Sequence, residues 1–122
     1  MEKDAAIAIF ESLASGVRLD VYRLLVKEGL AGMVAGEIAA RLAVPPTNLS
    51  FHLKALTQSG MLTVKQEGRF QRYRANMPLM LDLIDYLTAE CCSGNPAQCF
   101  DRLVLSPGAD APAFRKLKAP EK

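Results

Sequence analysis

At 122 residues, half of them apolar and under a quarter charged, the chain is sized for one soluble domain with a modest core. No apolar run is long enough to span a bilayer. The N-terminus, MEKDAAIAIF, opens on acidic residues without the basic start of a signal peptide, so a cytoplasmic protein with no membrane partner is expected. The net charge of +2 says little as a total, but residues 47–76 hold Lys54, Lys65, Arg69, Arg72 and Arg74 against Glu67 alone, while residues 78–101 hold Asp82, Asp85, Glu90 and Asp101 with no Lys or Arg.

Residues 4–13 predict a short helix, with Ala6, Ile9, Phe10 and Leu13 at helical spacing. Ser15 is a good N-cap for a second helix reaching about Lys27, in which Val17, Val21, Leu24 and Leu25 share a face and Gly29 ends the run. A third helix, about Ala35 to Leu42, should bury Ile38, Ala39 and Leu42. Pro45-Pro46 then breaks the chain. Because proline is tolerated in a first helical turn, a fourth helix can start there and run to about Ser59, with Leu49, Leu53 and Leu56 inward and Gly60 closing it.

The period then changes from helical to alternating. Leu62 and Val64 point one way and Thr63 and Lys65 the other, Glu67-Gly68-Arg69 supplies a turn, and Phe70 to Ala75 a return strand. After Pro78, residues 79–90 predict a strong helix with Leu79, Met80, Leu83, Ile84 and Leu87 on a broad apolar face that Leu81 widens. A stripe so wide on one short helix needs two surfaces to bury it, and a second copy of the chain is the obvious second surface. Residues 103–122 are rich in Pro, Ala and Lys and are expected to be a flexible tail.

Three helices with a tight turn, followed by a basic hairpin, is the order of a winged helix-turn-helix: mainly α, with a two-stranded wing. The helix after Pro45-Pro46 would then enter the major groove of double-stranded DNA. With about 100° per residue, Thr47, Phe51, Lys54 and Ala55 lie opposite the leucine stripe. Thr47, Asn48 and Ser50 occupy the turns that meet base edges, and Lys54, Lys65, Arg69, Arg72 and Arg74 suit phosphates or the minor groove. His52, the only histidine, falls on the flank of the stripe, where a structural role and a DNA contact are both open.

The run AVPPTNLSFHLKALTQSGMLTVKQEGRFQRYRA resembles the DNA-binding core of the ArsR/SmtB family of metal-responsive repressors, and ASGVRLDVYRLLV resembles that family's second helix. The resemblance covers roughly residues 7–90. It implies a homodimer, paired through the first and last helices, that sits on an operator and leaves when its inducer binds. Pro45 and Pro46 depart from the Ser and Gln that often open the recognition helix. The frequent Cys-x-Cys metal motif of the third helix is absent from Met33-Val34-Ala35-Gly36-Glu37, and the last helix lacks the Asp-x-His pattern of the zinc sensors.

All three cysteines, Cys91, Cys92 and Cys99, fall within nine residues at the end of the last helix. An odd thiol count in a reducing compartment points to metal binding or redox chemistry. Zn(II) in a closed site usually wants a fourth ligand, which Asp101 or water would have to supply. As(III) and Sb(III) are soft and need only three thiolates, because a lone pair fills the fourth direction. Cysteine endings of this kind are similar to those of an arsenic-responsive subset of the family, which implies As(III), and with it Sb(III), as the inducer on Cys91, Cys92 and Cys99. Divalent Cd, Pb or Zn and a thiol-redox switch remain the alternatives. No phosphate loop, Cys-x-x-Cys or histidine beside the cysteines suggests an enzyme or a catalytic cofactor. The expected organisation is a DNA-binding and dimerisation domain over 1–92, an inducer segment over 91–99 and a tail over 103–122.

Overall fold

A computed structural model of the chain describes residues 1–90. In chain order these form α1 (Lys3–Leu13), α2 (Gly16–Glu28), a single 3-10 turn (Gly29–Ala31), β1 (Met33–Val34), α3 (Ala35–Leu42), α4 (Pro46–Gln58), β2 (Leu62–Glu67), β3 (Phe70–Ala75) and α5 (Met77–Thr88). The chain divides into two units after Leu83.

The first unit, Met1–Leu83, is built on one apolar core. Ile9 from α1, Val21 and Leu25 from α2, Ile38 from α3, Leu49, Leu53 and Leu56 from α4, then Met61 and Leu62, are all fully buried. Leu83 of α5 joins the same core, with Leu79 and Met80 packed partly against it. Local chemistry sets the helix ends. Ser15 Oγ accepts the Arg18 amide at 3.3 Å and starts α2. Gly29 ends it with φ 67°. Asn76 Oδ1 accepts the Leu79 amide at 3.3 Å and caps α5, while Asn76 Nδ2 donates to the Gly60 carbonyl at 2.8 Å. That cap starts α5 two residues before the expected 79, with Pro78 inside the first turn, where its missing N–H costs nothing.

The expected two-stranded wing forms from β2 and β3, and β1 adds a third strand beside β3, so the antiparallel sheet is ordered β1-β3-β2. Met33 pairs with Tyr73 and Val34 with Arg72, so the added strand is a two-residue piece formed only by its partner. Phe10 does not join the core; it is 46% exposed, and Ser12 is buried on α1 instead. Ser12 Oγ donates to the Ile9 carbonyl at 2.8 Å and accepts from Ser59 Oγ at 2.9 Å, so its polarity is satisfied inside.

The second unit begins at Ile84 and is described to Glu90, covering the last turns of α5. Ile84, Tyr86 and Leu87 are exposed there, and Thr88 Oγ1 donates back to the Ile84 carbonyl at 2.8 Å. Among the described residues no helix is long and apolar enough to cross a membrane. Cys91, Cys92, Cys99 and the tail lie outside the described residues.

Candidate nucleic-acid interface

The turn between α3 and α4 is three residues long, Ala43 to Pro45. Ala43 adopts the left-handed conformation at φ 55°, and the Ala43 and Val44 amides return to the Ala40 and Ala39 carbonyls. Pro45 is extended and Pro46 opens α4, so the helix starts abruptly after the turn. No side chain caps this start, which leaves the amides of its first turn open to solvent or to an anion.

Burial of Leu49, Leu53 and Leu56 fixes the rotation of α4 about its axis. Thr47, Asn48, Ser50, Phe51 and Lys54 are consequently exposed, as the spacing predicts. Ser50 Oγ donates to the Thr47 carbonyl at 3.0 Å, so its proton is committed to its own helix and its lone pairs face outward. A groove of about 150 Å³ lined by Gly36, Pro46, Ser50, Gln71 and Tyr73 sets the start of α4 beside β3. Burial pushes the Tyr73 phenol above its usual range, and its hydroxyl donates to Gln71 Oε1 at 3.0 Å.

His52 sits half-buried on the flank of α4. Its Nδ1 lies 3.4 Å from Arg18 Nη1, and Arg18 Nε donates to the Ser12 carbonyl at 2.7 Å. A guanidinium can only donate, so Nδ1 is the acceptor and the ring proton belongs on Nε2. Through Arg18, His52 ties α4 to the end of α1. Nothing in the sequence pattern pairs residues 18 and 52.

The five cations of the basic segment divide into two groups. Lys54, Lys65 and Arg69 are exposed, and no carboxylate pairs with them among the described residues. Arg72 and Arg74 are anchored. Arg72 Nε meets Glu67 Oε1 at 2.9 Å and Nη1 donates to the Ala31 carbonyl at 3.1 Å. Arg74 Nε donates to the Leu30 carbonyl at 2.7 Å. Both therefore clamp the 3-10 turn to the wing and keep only their remaining N–H groups for another partner. Lys65 stands directly opposite Arg72 across the ladder, so one face of the wing carries Thr63, Lys65, Arg72 and Arg74 together.

Among the described residues no three His, Cys, Asp or Glu side chains come together as a metal site. α4 and the wing together present Thr47, Asn48, Ser50, Lys54, Lys65 and Arg69 as exposed polar and cationic side chains.

Residues 13–65 match a family described as a helix-turn-helix domain. A probable mercury resistance operon repressor from Streptomyces lividans is 23% identical over 105 residues, covering 86% of this chain and 80% of the relative. Among solved structures, an ArsR-like transcriptional regulator from Rhodococcus sp. RHA1 is 24% identical, with a TM-score of 0.63 over 88% of this chain and 93% of its own. The homodimeric winged helix-turn-helix DNA-binding domain of a possible ArsR-family regulator from Mycobacterium bovis is also 24% identical, with a TM-score of 0.55 over 70% of this chain and 83% of its own. The fold of the chain is that of a winged helix-turn-helix.

Proposed function

We propose that this winged helix-turn-helix protein is a cytoplasmic transcriptional repressor of the ArsR type, a homodimer that holds operator DNA and lets it go when As(III) or Sb(III) binds Cys91, Cys92 and Cys99. The observation that carries the DNA half is the outward face of α4. A 13-residue helix buries three leucines and turns Thr47, Asn48, Phe51 and Lys54 to solvent beside a cationic wing. Thr47, Asn48, Ser50 and Phe51 meet base edges in this reading, with His52 at their flank. Lys54, Lys65 and Arg69 hold phosphates, and Arg72 and Arg74 set the wing's position and add their spare donors. The role is one of binding, not of catalysis.

The inducer half rests on donor chemistry. Three soft thiols within nine residues match an ion that completes its shell with three sulfurs. Drawing those sulfurs together alters the chain directly after α5. If the altered dimer fits the operator less well, affinity falls by the coupling energy, typically about 1–3 kcal/mol. A second reading, release by a soft divalent metal, is favoured by the Streptomyces lividans relative, named for mercury resistance.

The deciding experiment titrates reduced protein on labelled DNA from upstream of its own gene with arsenite, antimonite, cadmium, zinc and mercuric ion in parallel, read by anisotropy. Release by arsenite that is lost in Cys91→Ser, Cys92→Ser and Cys99→Ser supports the arsenic reading. Release by mercuric ion or cadmium alone moves the assignment to the divalent metals. Cysteine-free protein that still responds to arsenite sinks both.

A further inference from the structure

Phe51 is the one large apolar side chain on the outward face of α4, and it is 73% exposed. Taking Leu49, Leu53 and Leu56 as the inward direction, about 100° per residue places Phe51 within about 20° of the direction pointing straight away from the core. Thr47 and Lys54, one turn to either side, complete that ridge. An exposed phenylalanine is ordinary in itself. Its place is what matters here, because the middle of this ridge reaches deepest into any groove the helix enters.

A phenyl ring neither donates nor accepts a hydrogen bond. On the floor of the major groove G, A and C present donors and acceptors, and pressing a ring against those edges would strip them of water without replacing it. The floor offers one apolar group, the C5 methyl of thymine. Resting on the recognition-helix reading above, we infer that Phe51 is a specificity-determining residue that packs on a thymine methyl, so that each operator half-site carries thymine beneath the centre of α4. Phe70, the other exposed aromatic of this region, stands at the start of β3 and not on the helix.

The test deletes that methyl and nothing else. Duplexes selected by the full-length protein from a randomised pool are remade with deoxyuridine at one thymine of each half-site at a time, and each form is titrated at one fixed salt concentration, since affinity depends steeply on salt. Wild-type protein should bind one of the deoxyuridine duplexes about fourfold more weakly per contacted methyl, the factor that corresponds to burying one such group. Phe51→Ala should bind that duplex and its thymine parent alike with an unchanged thermal transition, and Phe51→Leu should keep part of the preference. Wild-type protein indifferent to the methyl, or Phe51→Ala discriminating as well as wild type, would overturn the inference while leaving the DNA-binding reading in place. Selection that enriches no duplex would overturn the recognition-helix reading, and this inference with it.

Discussion

Gly32 occupies the short link that delivers the chain from α2 to β1. It holds φ 61° and ψ −167°, a region that essentially only glycine visits. A Cβ there would also run into the Tyr73 carbonyl oxygen and lie 2.8 Å from Arg74 Cγ. Gly29, at φ 67°, shares the strain but has open space where its Cβ would be. The two positions therefore separate backbone strain from steric exclusion. Gly29→Ala should cost about 1–2 kcal/mol from strain alone. Gly32→Ala should cost about 3 kcal/mol or more, since β1 must also move off β3. Urea midpoints at constant m-value give both numbers. Equal losses would mean that β1 yields freely and contributes little to holding the sheet together.

At the scale of elements, the cations of α4 and the wing divide into free and anchored side chains, and the difference can be measured. Lys65→Ala and Arg69→Ala remove exposed cations that no carboxylate among the described residues holds. They should leave stability within about 0.5 kcal/mol and each lower the slope of log affinity against log salt by about 1. Arg72→Ala breaks the contacts to Glu67 and to the Ala31 carbonyl. It should cost about 1–2 kcal/mol of folding stability before any DNA is present. A stability loss for Lys65→Ala comparable to that for Arg72→Ala would refute this division. The same division shows what could be read from the sequence. The limits of α2, α3 and α4 follow from neighbouring residues, namely the Ser15 cap, Gly29 and Pro45-Pro46, so local chemistry suffices to place them. The wing is legible for the same reason, a Gly68-Arg69 turn between alternating strands. β1 is not, because two residues carry no period and the strand exists only through Tyr73 and Arg72, some forty positions on. Nor is the anchoring of Arg72 and Arg74, whose partners are backbone carbonyls of residues 31 and 30, groups with no side-chain signature.

At the scale of the whole molecule, single-chain burial leaves too much apolar surface on two helices. α1 turns Ala6 and Ile9 inward yet exposes Ile7 and Phe10, each at 46%. α5 buries Leu83 yet exposes Leu81 at 55%, with Ile84 and Leu87 also open farther along the same helix. Apolar faces on the outer sides of helices that already serve a core are what a second copy of the chain would cover. Leu81→Glu should consequently sediment as a monomer under conditions where wild type is a dimer, with an unchanged helical spectrum, because Leu81 contributes little to its own chain's core. DNA affinity should fall by about 10²–10⁴, the avidity lost when two linked half-site contacts become one. A dimeric Leu81→Glu variant would remove α5 from the interface. The same monomer tests where the proposed inducer site lies. Cys91, Cys92 and Cys99 are close enough in sequence to serve one ion from one subunit, so arsenite should still protect all three thiols of the monomer from alkylation. Protection that disappears on dissociation would instead mean that each site takes sulfur from both subunits, and would make dimer geometry and inducer binding two views of a single equilibrium.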